Sequence, residues 1–573
     1  MKPMSSNTFK LTFITAAILS STSASAALYQ VVEVTPDLTY NSDYVSAYGV
    51  AIQSATTTGA SDNCFNSSTV SGDAVTCSAY TLGGETRVTE TNAGEAVDGL
   101  SFREEAPFAM DNAFYYIQDS DDFENYCDNQ LLYSTCETWA SLRWNLWNKE
   151  ITGDTTVNSY AFTGSSTSGT LVNSTYDTVI NSIDSSGDPV GIQLTPGDVT
   201  SYRRNTVDAL ADNITTSSYL QSRAWKTDGT YTVGSVSTSA TNTNGTYYSS
   251  KAAMWNASDI VELNWPSGTE VYNNSSIAQG SLRDFVIVDG TIYAVGYNSF
   301  YSNRNYMEAS ISKVAEGSFD TASSWTTVGV TNAKVYTNGG TSGDHIYSNT
   351  RLTSVNSNLI AIGEAKRQGS APSNGAAANR LFVVSDVSAS SPSATFLSDG
   401  IFFDGAGGKA GAINNYNEIV GQIDAESTRE ASGKPRRKRG FIYPYNGTGT
   451  DSDRRAVFNN QGWWLDNLTN GGTYSNNNNQ YRIIDATDIN DAGVISATAL
   501  KCDGGYDTTS YNATCGGGSQ DETTVAIKLV PIVGATSDDI SERGTDDTST
   551  ERSGGGIGLW MFAVLGFLGF RRK

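Results

Sequence analysis

Ile413-Asn-Asn-Tyr-Asn-Glu-Ile-Val-Gly421 is a turn followed by an apolar strand that ends on glycine. Three other segments share the pattern: Val288-Asp-Gly-Thr-Ile-Tyr-Ala-Val-Gly296, Val355-Asn-Ser-Asn-Leu-Ile-Ala-Ile-Gly363 and Ile489-Asn-Asp-Ala-Gly-Val-Ile-Ser496. Their Asn-x-Asn, Asp-Gly and Asn-Asp-Ala-Gly residues tolerate φ > 0 and reverse a chain between strands. Gly296, Gly363 and Gly421 mark places where a strand bends or another backbone comes close. A second apolar strand follows each turn, at 308–313, 380–384, 440–443 and 524–528. Start to start the units lie 67, 58 and 76 residues apart, room for about four short strands each.

Weaker echoes lie upstream. Ser222-Arg-Ala-Trp-Lys226, Lys251-Ala-Ala-Met-Trp255 and Asn112-Ala-Phe-Tyr-Tyr116 read as further second strands, Thr232-Val-Gly-Ser235 as a first strand, and Ala47-Tyr-Gly-Val50 as a decayed turn. The expected fold is therefore all-β and β-propeller-like, with about 6–7 irregular blades spanning 27–535. Radial blades of about four strands bury both faces and leave only short edges. An open solenoid or a pair of sandwiches is the alternative, and the spacings are long for β-helix coils.

Composition agrees with an extracellular β protein: 30 Tyr, 55 Gly and few basic residues. The net charge is −24, and removal of both expected tails, which hold five basic residues, takes it to −29. Such a surface repels phosphate, which speaks against nucleic acid as a partner. Six cysteines fall in near-neighbour pairs, Cys64 with Cys77, Cys127 with Cys136 and Cys502 with Cys515. Sequential pairing closes short loops at the least entropic cost, each contributing about 2–3 kcal/mol. Zinc fails on spacing, since no C-x-x-C occurs and His345 is the only histidine.

From 119 to 150 the strand pattern breaks. Leu131, Leu132, Trp139, Leu142 and Leu146 fall near a helical period beside Trp144 and Trp147, which predicts a small helical insertion clipped by Cys127 and Cys136. Its aromatics are read as core, with a sugar-stacking platform as the alternative. Asp119, Asp121, Asp122, Glu124 and Asp128 would supply oxygens for Ca²⁺, against the reading of a solvated acidic loop, and no other cofactor is expected. Lys434, Arg436, Arg437, Lys438 and Arg439 form the one dense basic run, expected to project as a hairpin tip and to offer an anion-binding loop. Asp488-Ile-Asn-Asp-Ala-Gly493 has a calcium-loop look, but its place in the repeat makes it a turn.

No catalytic residue is assigned. His345 sits in Thr341-Ser-Gly-Asp-His345 without a nucleophile elbow near it. No phosphate-cradling fingerprint occurs. Carboxylate pairs for glycoside hydrolysis are set by distance in space and stay open.

The ends carry sorting signals. Lys2 and Lys10 precede the apolar stretch 11–19 and Ala24-Ser-Ala26, so 1–26 reads as a signal peptide cut between Ala26 and Ala27. Residues 536–553 read as a disordered acidic, Ser/Thr-rich stalk. Gly554, Gly555 and Gly556 then open a short apolar stretch that ends in Arg571-Arg-Lys573. Its 14 apolar-segment residues, 557–570, span about 21 Å as a helix, short of a bilayer core of about 30 Å.

This tail resembles the GlyGly-CTERM signal of Gram-negative bacteria, which implies cutting in the glycine patch by a rhombosortase-type protease. A retained single-span anchor is the alternative. The repeats resemble the HAF-type repeat of β-propeller-like extracellular proteins, and the chain as a whole resembles an exported family of unknown function. The histidine usual in the second strand of that repeat is absent from every copy here. The resemblance implies the export machinery, signal peptidase and a rhombosortase-type protease as partners. The product would be transiently anchored in the inner membrane, then placed at the cell envelope or outer surface or secreted. There it is expected to serve as a non-enzymatic binding or structural module for an envelope protein or glycan. A glycan-binding or glycan-hydrolysing protein and a calcium-dependent adhesin are the alternatives.

Overall fold

In a computed structural model, the structure describes residues 27–546 except 37–43, 56–62, 74, 92, 98–118, 155–157, 196–205, 211–218, 220, 244, 273–275, 301–305, 339–342 and 399. The expected leader, the strand expected at 112–116 and the glycine-rich tail lie outside the described residues.

Apart from one two-stranded pair, the strands form five sheets of four or five strands and one of seven. The seven-stranded sheet divides at a single parallel bridge between Gln221 and Val207. The described residues therefore make seven blades. Their inner strands, in order, are Ser46–Ile52, Thr178–Ile183, Gln221–Thr227, Ser281–Val288, His345–Val355, Gly408–Ile413 and Tyr481–Ile489. Each packs on the next, and the seventh returns to the first. This closed ring is a β-propeller, as the spacing of the repeats predicts.

The ring is locked by its first strand. Tyr29–Glu33 pairs antiparallel with Thr523–Pro531 as the outermost strand of the seventh blade. Asn478, buried beside it, accepts the Val31 N–H at 3.1 Å and donates to the Tyr29 and Thr469 carbonyls at 3.0 Å each. Leu28, Tyr29 and Val31 thereby join Ile442, Leu465, Ile483 and Ile527 in one core. Similar cores fill the other seams, for example Val295, Ala309 and Ile311 of blade 4 against Leu352, Ala361 and Phe382 of blade 5.

The quoted repeat is the hairpin between the first and second strands of a blade, and its follower is the third strand. Asn356, Asn414 and Asn490 cap the turn alike: each side-chain oxygen accepts the N–H four residues on at 3.0 Å. Asp184 makes the same bond to Asp188 at 2.8 Å. Ile183-Asp-Ser-Ser-Gly-Asp-Pro-Val-Gly191 is thus a fifth copy of the turn, overlooked in the sequence because proline interrupts its strand. The caps also join the blades. Asn356 donates to the Asn414 carbonyl at 2.9 Å, Asn414 to Asn490 at 3.2 Å, and Asn490 to Gln53 at 3.0 Å. The 288–291 turn differs, being a tight Asp289-Gly290 reversal with both φ positive.

Two upstream readings are corrected. Residues 222–226 lie in an inner strand, Gln221–Thr227, and 47–50 lie in the inner strand Ser46–Ile52 instead of a turn. Lys251–Trp255 falls in a third strand, Gly245–Trp255, as expected.

The insertion is helical: Ser120–Tyr126, a wide turn over Cys127–Leu131, and Cys136–Ile151, clipped by Cys127–Cys136. Phe123, Ala140 and Trp147 are its core, with Trp139 and Trp144 packed on them, so these aromatics are structural. It leaves blade 1 and docks on blades 5 and 6: the buried Lys366 ammonium donates to the Gln130 carbonyl at 2.9 Å, and Ser134 N–H to Gly433 at 2.8 Å. The other disulfides are Cys64–Cys77 and Cys502–Cys515. Within the segment expected to be a stalk, 536–546 packs on the domain. Arg543, buried, donates to the Asp466 carbonyl at 2.8 Å, and Asp546 accepts from Thr508 and Ser510.

Candidate functional site

Each inner strand carries a bulge. The extra residues are Val50, Asn181, Trp225, Arg283, Thr353, the pair Gly411 and Ala412, and Thr487. Just before the bulge, the strand pairs with the glycine of the repeat: Gly84, Gly191, Gly234, Gly296, Gly363, Gly421, or Ala497 in the last blade. A Cβ on Gly191 would lie 1.9 Å from the Val179 carbonyl oxygen, and one on Gly296 2.0 Å from that of Ser281. In these two blades the close approach leaves no room for a side chain, while the last blade bulges opposite Ala497. The bulge in turn bends the strand and re-aims its side chains. They line a cavity of about 300 Å³ on the propeller axis, bounded by residues of all seven inner strands.

One residue after the bulge, toward the hairpin turns, three blades place a charge: Lys226, Asp284 and Asp488. The Asp284 carboxylate accepts the Ser354 hydroxyl at 2.7 Å and the Val355 N–H at 3.0 Å. Ser354 Oγ accepts the Ile413 N–H at 3.3 Å, and Asp488 the Ile52 N–H at 3.0 Å. These are the same blade-to-blade bond in three seams. Lys226 occupies this position in blade 3. Burial opposes its charge, but Asp488, Asp284 and Asp491 outweigh burial and raise its pKa.

Two residues before the bulge, three adjacent blades place Arg351, Lys409 and Asp485 at one register. Arg351 pairs with Glu364 at 2.7 Å. Lys409 is exposed in the lumen and has no hydrogen-bond partner among the described residues. Burial pushes the Asp485 carboxyl up to about 6, against the pull of Lys409 and with a further push from Glu95. Glu95 reaches the lumen from the connection between strands Leu82–Arg87 and Ala161–Gly164, at the end opposite the hairpins. The Arg283 guanidinium stacks over Trp225 at 3.5 Å.

The residues singled out in the sequence are dispersed. Asp119 caps helix Ser120–Tyr126, accepting the Asp122 N–H at 3.0 Å. Among the described residues no three His, Cys, Asp or Glu side chains converge on a metal-sized site. The basic run does not project as a whole, which corrects that expectation. Arg436 is buried and pairs with Asp424 at 2.9 Å, Lys438 pairs with the same carboxylate, and Arg439 reaches Asp466 at 3.2 Å. Lys434 and Arg437 alone of the five are exposed, because an acidic core neutralises the rest. His345 opens an inner strand and packs between Tyr306 and Tyr336. Asp488 lies in the lumen, and the turn after it is a hairpin turn as read.

Sequence reasoning missed the lumen. Its signal was a four-residue tag of bulge residue, short polar or Ala, aliphatic, and Asn, Asp or Gln. The copies are Val50-Ala-Ile-Gln53, Asn181-Ser-Ile-Asp184, Thr353-Ser-Val-Asn356, Gly411-Ala-Ile-Asn414 and Thr487-Asp-Ile-Asn490.

Ring and channel together define a seven-bladed β-propeller with a charged central lumen. The chain belongs to the family described as protein of unknown function (DUF3466), whose model matches residues 226–573. No curated protein matches it. Among solved structures it is similar to the phage phi92 endosialidase, at 9% identity and a TM-score of 0.34, covering 88% of this chain and 70% of that one. It is also similar to the α-L-arabinofuranosidase Arb93A of Fusarium graminearum, at 8% and 0.26, covering 88% and 98%. A third is the α-L-arabinanase of Cellvibrio cellulosa, at 10% and 0.22, covering 50% and 89%.

Proposed function

We propose that the protein is an exported cell-envelope module, a non-enzymatic propeller that binds its partner at the central lumen. The observation that supports binding is Lys409, a charge turned into the lumen beside Asp485 and without a hydrogen-bond partner among the described residues. The turn copies at Asn356, Asn414, Asn490 and Asp184 support the kinship with HAF-type repeats. Three disulfides accord with an oxidising compartment. In this reading signal peptidase cuts between Ala26 and Ala27. A rhombosortase-type protease then cuts the GlyGly-CTERM tail at Gly554, Gly555 or Gly556, releasing the propeller to the outer surface or medium.

A hydrolase is the second reading, favoured by Asp485, whose carboxyl at about 6 suits a general acid. It would need Glu95 as the second carboxylate, since Asp284 and Asp488 are committed to backbone N–H groups. Intact mass and the C-terminal peptide of the protein from fractionated native cells test export. An end near 553–556 in the envelope or medium is expected, and an uncut Lys573 in the inner membrane refutes delivery to the surface.

A further inference from the structure

We infer that the lumen is a binding site for one neutral, sugar-sized polyhydroxy compound, held by Lys409 and Asp485 with Glu95 above them. The inference rests on the binding reading above and names its ligand class. A cavity of about 300 Å³ stands at the lower end of small-molecule sites, which span roughly 300–1,000 Å³. It accepts a single ring, not a folded peptide.

The charges decide the chemistry. Lys409 comes from blade 6 and Asp485 from blade 7, neighbours at one register, and neither side chain makes a hydrogen bond to another side chain among the described residues. An ammonium offers only donors and a carboxylate only acceptors. A hydroxyl is both, so a diol satisfies the two at once and leaves the lumen's charge balance unchanged. An anion would satisfy Lys409 but repel Asp485 and Glu95, and a cation would do the reverse.

At the hairpin end, Lys226 lies within the field of Asp284 and Asp488. The other end is met by Gly94 and Glu95 of the blade 1 connection. A free sugar, or one residue of a chain, fits a cavity of this size.

The test is saturation-transfer NMR and calorimetry on the mature chain with glucose, galactose, mannose and N-acetylglucosamine, and with glucuronate and glucosamine as charged comparators. We expect a neutral sugar to bind, and Lys409→Met and Asp485→Asn each to weaken it about tenfold or more. Asp485→Asn should lose ligand while its melting temperature at neutral pH rises, which separates lost binding from lost fold. The inference is overturned if no neutral sugar binds, if both variants bind as well as the wild type, or if glucuronate or glucosamine binds more tightly than every neutral sugar. Cell fractionation is scored separately, so a failure of export and a failure of sugar binding are told apart.

Discussion

Asp488 accepts the Ile52 N–H at 3.0 Å and so ties the last blade to the first. The acceptor is a buried carboxylate and the donor sits at the end of an inner strand. Asp488→Ala would leave that N–H unsatisfied and remove one of the charges that hold Lys226 protonated. We expect a loss of about 2–3 kcal/mol in urea unfolding. An unchanged midpoint would show that the seam is held by packing alone.

Asn478→Ala removes three buried hydrogen bonds at the edge strand Tyr29–Glu33. Each is worth about 1 kcal/mol net. The expected sign is selective: limited proteolysis should cut within 29–36 earlier than anywhere else in the domain, while the central blades stay protected.

Asp485 gives the fold a pH dependence of a definite sign. Its carboxyl titrates at about 6 in the folded chain against 3.8 in the reference state. The native state therefore favours the neutral form, and stability falls as pH rises from about 4 to about 6. Asp485→Asn should match the wild type near pH 4 and exceed it at pH 7 by at most about 3 kcal/mol. Parallel curves for the two proteins across that window would show the carboxyl to be ordinary.

Lys528 donates to the carbonyls of Ser78 at 2.6 Å, Tyr80 at 2.9 Å and Ser165 at 2.8 Å, and among the described residues it has no acid paired with it. Burial lowers its pKa to about 8. Between about 8 and the 10.5 of the reference state the unfolded chain holds more protons than the native one, so stability should rise with pH in that window. Lys528→Met is expected to abolish the rise, read from melts at pH 7.5 and pH 10.

Removing the Cys127–Cys136 disulfide should loosen the insertion and spare the ring. The cross-link closes a short loop and contributes about 2–3 kcal/mol to the local segment. In a Cys127→Ala, Cys136→Ala variant, hydrogen exchange should speed up across 120–151 and remain slow in the inner strands. Faster exchange throughout would mean that the insertion supports the propeller as well as resting on it.

The ring was legible where one asparagine does two jobs. Asn356, Asn414 and Asn490 cap their own turns and reach the next blade, so residue type and spacing are both constrained and show as a repeat. Blade 3 turns on Asp228 and blade 4 on Asp289-Gly290, and those blades lack the inter-blade reach that would have stamped the pattern on them. The lumen was illegible for another reason. Arg351, Lys409 and Asp485 share a register but not a residue type, since a binding surface needs different groups on neighbouring blades. The basic run misled because its partners, Asp424 and Asp466, lie outside it in sequence and meet it only in the fold.

The pairing of Tyr29–Glu33 with Thr523–Pro531 sets an order of events. Among the described residues, Tyr29–Glu33 has its one ladder partner in Thr523–Pro531. Until that partner arrives, the edge of Tyr29–Glu33 is unsatisfied and open to pairing with a second copy. This ladder joins Tyr29 to Pro531, a pairing far apart in sequence and slow to form by topology alone. Without Thr523–Pro531 the strand Tyr29–Glu33 would lose its ladder partner, while Tyr481–Ile489 would still reach Ser46–Ile52 to close the ring.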